Sequence, residues 1–264
     1  MDRLLGIVLM ASLGVRACTD APRATTDAST SAACEASAAN LGAWPNEPSG
    51  LATLDNQSWT TLGAPTWSLL WGPASVDTDL TAPFTPQVAA RIDFPVGFVG
   101  SRAPATLEYD FPARRTVYVS AWWKVSAPWQ GHPSSSNKVM YLFTGDSGSM
   151  AMIMYGPEQG PFMLRVFPDW QGEWLVPNAS SQPVALGTWH HLEWFVQYGQ
   201  TTDPPSGTVR WWMDGALVGN YCNVRLSSQP LVALKLAPVW GGAELVQKTE
   251  DDYMEYGPVH VAAR

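Results

Sequence analysis

Basic side chains inside otherwise apolar runs are the first feature of this sequence that could do chemistry. Five of the 15 basic residues fall in the middle of such runs, at Lys124, Lys138, Arg165, Arg210 and Lys235. Because successive side chains of a strand point to opposite faces, a basic residue between apolar neighbours is expected on the outer face of a sheet. Ammonium and guanidinium groups there can bind the carboxylates and hydroxyls of a ligand. The alternative is an exposed face with scattered cross-strand ion pairs.

Alternation assigns further polar and aromatic residues to an outer face. Glu193 and Gln197 in the run 189–198, and Trp212 in the run 208–213, fall opposite the apolar positions of their runs. The hypothesis that follows is a single ligand groove across one sheet. Its proposed lining consists of Lys124, Lys138, Arg165, Glu193, Gln197, Arg210 and Trp212.

Residues suited to proton transfer are fewer. His191 and Tyr141 have side chains that can act as a general acid or base, and Arg165 could neutralise a carboxylate beside them. His190 and His191 are adjacent, so a strand would point them to opposite faces, and they could not ligate one metal ion together. No Cys/His spacing indicates zinc. We therefore expect no metal site and leave the existence of a catalytic centre open.

The elements that must position these residues are short strands. Eight runs carry the strand pattern most clearly: Thr116–Val125, Lys138–Phe143, Met150–Tyr155, Phe162–Phe167, Trp189–Tyr198, Thr208–Met213, Leu231–Leu236 and Tyr253–Val261. Between the sixth run and the residues after it, Asp214-Gly215 is a strong signal for a two-residue hairpin, because a type I′ turn needs positive φ at both positions. Many strands at about ten-residue spacing predict a β-sandwich rather than a parallel α/β sheet.

Composition agrees with an all-β protein. Charged residues make up only 14% of the chain, whereas a helical bundle needs many Lys and Glu on its exposed faces. The 22 Gly and 22 Pro favour frequent turns. The net charge of −8 disfavours nucleic acid as a partner, since phosphate binding needs a basic surface. The sequence predicts an all-β fold of two antiparallel sheets packed as a sandwich.

The N-terminal region is typical of an export signal followed by a tether. Arg3 precedes the apolar run 4–15, which is too short to span a bilayer but suits a signal peptide. The run leads to Cys18 in a sequence that resembles a bacterial lipobox, although Arg16 departs from that pattern. Residues 19–43 are mostly Ala, Ser, Thr and Asp and cannot bury enough apolar surface to fold. We expect a signal segment over 1–18, a disordered tether over 19–43 and one domain over 44–264.

Cysteine use fits an exported protein. If Cys18 carries a lipid, Cys34 and Cys222 remain, and they could form a disulfide in an oxidising compartment. The alternatives are cleavage near Ala17 and two free thiols. No later stretch is long and apolar enough to span a bilayer, so we expect membrane attachment only through the lipid. The expected location is the cell surface, the outer membrane, the periplasm or the medium.

Two motifs carry a family resemblance. The segment 187–194 (GTWHHLEW) and the segment 207–219 (GTVRWWMDGALVG) resemble a strand and a hairpin of the concanavalin A-like lectin/glucanase superfamily. Within it, the chain is most similar to laminin-G-like and polysaccharide-lyase jelly rolls, and the resemblance covers about Trp44 to Arg264. It implies a jelly-roll sandwich whose open sheet binds a glycan, with aromatic rings stacking on sugars. It also leaves calcium possible at Asp146 or Asp251–Asp252.

The resemblance does not fix an activity. Glu250, Asp252 and Glu255 match a catalytic glucanase string, but they stand too close to the C-terminus and are expected to form a solvated acidic turn. Two alginate-lyase signatures, Gln-Ile-His and a C-terminal Tyr-x-x-Gly-x-Tyr-x-Gln, are absent. Three functions stay open: binding of polysaccharide, polysaccharide lyase or hydrolase activity with lyase favoured over hydrolase, and adhesion to another protein.

Overall fold

A computed structural model describes residues 44–63, 65–169, 172–199, 205–242 and 244–264. In these ranges the chain forms strands and no helix, so none of the described segments is a helix that could cross a membrane. The all-β prediction is confirmed. The predicted signal segment 1–18 and tether 19–43, with Cys18 and Cys34, lie outside the described residues.

Fifteen strands make up the described structure. In chain order they are β1 (Ala52–Gln57), β2 (Trp67–Trp71), β3 (Ser75–Thr78), β4 (Val88–Phe94), β5 (Thr106–Arg114), β6 (Thr116–Val125), β7 (Ser136–Thr144), β8 (Ser149–Tyr155), β9 (Met163–Pro168), β10 (His190–Gln197), β11 (Gly207–Met213), β12 (Ala216–Val224), β13 (Leu231–Leu236), β14 (Val239–Trp240) and β15 (Asp252–Ala263). Each of the eight strands predicted from the sequence is present, and two of them, β6 and β13, have the predicted bounds.

The strands form two antiparallel sheets. The eight-stranded sheet has the order β12-β11-β10-β6-β15-β4-β3, with β1 also pairing with β15. The seven-stranded sheet has the order β2-β5-β13-β7-β8-β9, with β14 pairing with β7. Consecutive strands alternate between sheets at several points, as expected for a jelly roll. The two-sheet sandwich is therefore confirmed.

The core lies between the inner faces of the two sheets, and the alternation of the sequence decides which residues enter it. Trp194 and Trp211 from the eight-stranded sheet and Leu142, Met152 and Leu234 from the seven-stranded sheet are fully buried in one cluster. Because one face of each strand is apolar, a shift of register by one residue would expose this whole set to solvent. The core therefore fixes which side chains point outward.

The predicted hairpin joins β11 to β12. Asp214 and Gly215 have φ angles of 53° and 77°, so both lie in the left-handed region that a type I′ turn requires. Gly219 in β12 has a separate role, because a Cβ atom there would lie 2.0 Å from the Trp211 ring. The Trp211 ring occupies the space that a side chain at position 219 would fill, and it stacks on Tyr221 with ring centres 5.8 Å apart.

Cys222 in β12 is disulfide-bonded, while its proposed pairing with Cys34 stays a prediction.

A buried ion pair anchors the start of β15. The side chains of Lys248 and Asp252 contact each other and are both fully excluded from solvent. Lys248 Nζ also donates to the carbonyl of Gln130 at 2.9 Å and lies 3.9 Å from the centre of the Trp129 ring. Burial lowers the pKa of Lys248 to about 8, although the Asp252 carboxylate acts in the opposite direction. This pair locks the loop before β15 onto the sandwich.

Candidate functional site

The predicted groove residues lie on two different faces of the sandwich. Five of the seven belong to strands of the eight-stranded sheet: Lys124, Glu193, Gln197, Arg210 and Trp212. Lys138 and Arg165 belong to β7 and β9 of the seven-stranded sheet. A single groove lined by all seven is therefore wrong. Alternation shows that a side chain points away from the core, but it does not show which sheet its strand joins.

One end of the outer face of the eight-stranded sheet is covered by the chain itself. Trp44 and Leu51 pack on a cluster that includes Phe195 and Trp212. Trp44 also stacks on His260, with ring centres 4.6 Å apart. Trp212 was expected to contact a ligand, but it is only 7% exposed under this cover.

Glu193 serves to hold that cover in place. Its carboxylate is fully buried and accepts hydrogen bonds from the Tyr118 hydroxyl at 2.5 Å and from the Asn46 side-chain amide at 2.7 Å. The backbone N–H of Asn46 donates to the same carboxylate at 3.1 Å. Next to it, Ser120 Oγ lies 2.6 Å from His191 Nε2, and Ser120 is fully buried. Both carboxylate oxygens of Glu193 are thus engaged within the chain.

The other outward residues of this sheet are also engaged. Lys124 forms ion pairs with Asp79 at 2.5 Å and with Glu255 at 3.4 Å. Arg210 is buried and donates from Nε to the side-chain oxygen of Asn220 at 2.9 Å, and burial lowers its pKa. Gln197 is half-buried at the end of β10. Of these residues, Lys124 and Arg210 are thus buried and engaged in contacts within the chain.

The outer face of the seven-stranded sheet carries a different set of residues. Strand register aligns Glu108 in β5, Lys235 in β13 and Tyr141 in β7 as direct neighbours. Lys235 Nζ lies 2.7 Å from a Glu108 carboxylate oxygen and 4.4 Å from the centre of the Phe143 ring. The lysine side chain is 21% exposed. A cation in the middle of a sheet thus faces outward between a carboxylate and aromatic rings.

Tyr141 and Lys138 extend this row along β7. Burial raises the pKa of Tyr141 well above its usual range, so the phenol is protonated at neutral pH and can donate a proton. Lys138 Nζ donates to the carbonyl of Gly241 at 3.3 Å, and burial lowers the pKa of this lysine. Tyr141 therefore lies on the same strand as Lys138 and next to Lys235 on the neighbouring strand.

Arg165 lies in β9, toward the far edge of the same face. Its guanidinium sits 3.9 Å from the centre of the Tyr155 ring, and Trp174 packs on Tyr155 with ring centres 5.2 Å apart. Its Nε atom is buried and has no hydrogen-bond partner in the described structure. Of the predicted set, this face thus brings together Lys138 and Arg165, and it adds the proposed proton-transfer residue Tyr141. His191, the other such candidate, is on the opposite face.

A cavity of about 690 Å³ opens beside Tyr141 and Lys235. Most of its wall is apolar or aromatic, and the charged groups at it are Lys235, Arg102 and Asp93. Its lining residues are Trp71, Pro73, Asp93, Pro95, Phe98, Arg102, Ala103, Pro104, Tyr141, Phe143, Lys235, Ala237 and Val239. Ligand sites of proteins are commonly apolar clefts with a few polar groups that orient the ligand. The row of Lys235, Tyr141 and Lys138 beside this cavity is called the cationic row. The cavity and the cationic row together form the candidate site.

The acidic string near the C-terminus does not form a catalytic pair. Asp252 accepts hydrogen bonds from Ser126 Oγ at 2.8 Å and from the Gln130 backbone N–H at 3.0 Å, in addition to its ion pair. Glu255 lies on the opposite face of β15, where it contacts Lys124, and Glu250 precedes the strand. The expectation that the string is not a glucanase site agrees with this arrangement, but Asp252 and Glu255 are buried rather than solvated.

Sequence reasoning missed part of this site. Lys235 carried a signal, since it stands mid-strand among apolar residues, yet it was not included in the groove. Trp71 ends the short run 67–71 (WSLLW), whose pattern does not alternate strictly, and Arg102 lies in a loop. Glu108 alternates with Leu107 and Tyr109 in an unassigned strand, and this alternation could have revealed it.

No protein-family model and no curated protein matches this chain. Solved structures do match it. An endo-β-1,4-glucuronan lyase from the fungus Trichoderma reesei has a TM-score of 0.56 at 13% identity, covering 81% of this chain and 96% of that one. An alginate lyase from Chlorella virus has a TM-score of 0.55 at 8% identity, covering 81% and 100%. A variant of the alginate lyase Aly36B, in complex with alginate trisaccharide, has a TM-score of 0.54 at 13% identity, covering 67% and 82%. The chain therefore has the jelly-roll fold of these proteins.

Proposed function

We propose that this chain binds an acidic polysaccharide on the outer face of the seven-stranded sheet. The observation that carries the proposal is the row of Lys235 and Tyr141 beside an open cavity, with Lys138 and Arg165 on the same face. Cations recognise uronate carboxylates through charge-assisted hydrogen bonds, and the aromatic rings offer surfaces to the sugar rings. The fold shared with lyases that act on alginate and glucuronan agrees with this ligand class.

A second candidate function, β-elimination, is favoured by the placement of Tyr141 on one strand with Lys138 and next to Lys235. Elimination needs a base for the proton next to the carboxylate, a cation for the resulting anion and a donor for the departing oxygen. Lys138, three residues before Tyr141 on β7, would accept the proton from C5. The electron pair would form the C4–C5 double bond as the C4–O bond breaks, and Tyr141 would protonate the leaving glycosidic oxygen. Lys235 would hold the carboxylate.

One assay panel separates the functions that the sequence left open. The purified protein is incubated with uronate polysaccharides and with neutral glucans. Retention on uronate polymers alone supports binding. A rise in ultraviolet absorbance from unsaturated products, lost in Tyr141→Phe, supports elimination, while new reducing ends without that rise indicate hydrolysis. Failure to bind any polysaccharide would refute the proposal and favour adhesion to a protein.

We further propose that the protein acts outside the cytoplasm, attached through Cys18. The signal-like run 4–15 and the disulfide at Cys222 support export, because disulfides persist in oxidising compartments. Mass spectrometry of the N-terminal peptide from a bacterial host tests the attachment. A lipid on Cys18 that is lost in Cys18→Ala is expected. An unmodified N-terminus that still begins at Met1 would refute both export and lipidation.

A further inference from the structure

Trp71 is exposed beside a backbone position that requires glycine. Among the tryptophans of the described residues it alone is exposed, with 52% of its surface accessible. The residue after it, Gly72, has a φ of 73°, and a Cβ atom there would lie 1.8 Å from the carbonyl oxygen of Pro104. The backbone beside Trp71 therefore has a conformation and a close contact that only glycine permits. Ligand cavities are typically lined by aromatic side chains, and Trp71 is an exposed one.

The position of Trp71 relates it to the cationic row. It ends β2, the edge strand of the seven-stranded sheet, and lines the same cavity as Lys235 and Tyr141. Two strand spacings separate β2 from β13 and three separate it from β7, which places Trp71 about 10 to 14 Å across the sheet from the row. That distance exceeds the width of one pyranose ring. A glycan that contacts both must be a chain that runs across the strands.

The cavity wall that includes Trp71 is mostly apolar. Pro73, Pro95 and Pro104 line it and offer no side-chain hydrogen-bond donor. Such residues favour the apolar face of a sugar ring, and the charged groups Arg102 and Asp93 on the same wall carry opposite charges, so together they add no net charge that would select a carboxylate. We propose that Trp71 forms a second subsite. This inference rests on the proposed function, the binding of an acidic polysaccharide at the cationic row. It binds a pyranose ring of either charge state at a distance of two or more sugar units from the uronate held by Lys235.

Calorimetric titration with uronate disaccharide and hexasaccharide tests the subsite. Trp71→Ala is expected to weaken hexasaccharide binding roughly ten-fold, as for an aromatic contact at the centre of an interface, and to leave disaccharide binding unchanged. Trp71→Phe keeps a ring and should retain most of the affinity. Leu70→Ala is the matched control, since Leu70 is 43% exposed on the same strand but does not line the cavity. It should bind like wild type.

The outcomes separate this proposal from the function on which it rests. Equal hexasaccharide binding by wild type and Trp71→Ala would overturn the subsite, as would an equal loss for both oligosaccharides. If wild type binds no uronate oligosaccharide, the proposed function fails. Titration with a neutral hexasaccharide then decides the subsite: binding that Trp71→Ala removes would retain it, and no binding would overturn it too.

Discussion

Glu108 is expected to limit the affinity of the site for acidic sugars. Its carboxylate lies 2.7 Å from Lys235 Nζ, so a uronate bound to the same ammonium group would be held beside a second negative charge. With both carboxylates within hydrogen-bond distance of one nitrogen, their separation is about 5 Å. Glu108→Gln keeps a hydrogen-bond acceptor for Lys235 and removes the charge. We predict tighter binding of uronate polysaccharide by this variant.

The magnitude follows from Coulomb's law. Two unit charges about 5 Å apart repel by about 0.8 kcal/mol in water and by about 1.7 kcal/mol at half its dielectric constant. Because the pair is partly exposed, the expected gain is about four-fold to seventeen-fold in affinity at low salt. The gain should shrink as salt is added, since counterions screen charges at the surface.

Calorimetric titration with a uronate hexasaccharide at two salt concentrations measures the effect. Asp110→Asn is the matched control, because Asp110 is an exposed carboxylate two residues further along β5. At about 10 Å from the bound uronate, its removal should change affinity about two-fold or less. Unchanged or weaker binding by Glu108→Gln would refute the placement of the uronate on Lys235. So would an equal gain in Asp110→Asn.

Three predictions concern the scaffold. Lys248→Met should lower the free energy of unfolding by about 3 to 5 kcal/mol, because it leaves Asp252 buried without its cation, and the double variant Lys248→Met/Asp252→Asn should recover part of this loss. Urea unfolding followed by tryptophan fluorescence measures both variants. A loss under about 1 kcal/mol for Lys248→Met, the value for a surface pair, would contradict the prediction. Gly219→Ala should destabilise the fold by about 1 to 3 kcal/mol through its clash with Trp211, in the same assay, and unchanged stability would show that β12 can shift. Burial lowers the pKa of His260 to about 4, so the unfolded chain binds more protons than the folded one between about pH 6.5 and 4. The free energy of unfolding should therefore fall by up to about 3 kcal/mol as the pH drops through this window. His260→Gln should reduce this pH dependence of stability, and an unchanged pH dependence would show that His260 does not cause it.

The sequence predicted the strands and their inner faces because these depend on local alternation. Leu192 and Trp194 fall on the core side of β10 as expected, and the Asp214-Gly215 turn has the expected geometry. These features need only the identity of neighbouring residues. They could therefore be derived without any knowledge of the rest of the chain.

The site depends on long-range pairing, which local alternation does not encode. Glu193 points away from the core as predicted, yet Asn46, 147 residues away, covers it. Lys235 and Tyr141 become neighbours only because β13 pairs with β7. Arg165 and Arg210 have the same local pattern, but their strands join different sheets. Which outward side chains stay accessible is decided by the segments that fold over the sheets.

The most direct test of the account compares one arginine from each outer face. Arg165→Ala and Arg210→Ala remove the same charge from the seven-stranded and the eight-stranded sheet, and thermal unfolding confirms that each variant is folded. The measured quantity is the affinity for a uronate hexasaccharide. We predict a loss of about ten-fold or more for Arg165→Ala, as for a charge-assisted hydrogen bond, and a change of about two-fold or less for Arg210→Ala. Loss in Arg210→Ala with unchanged binding in Arg165→Ala would place the ligand on the other face and contradict it.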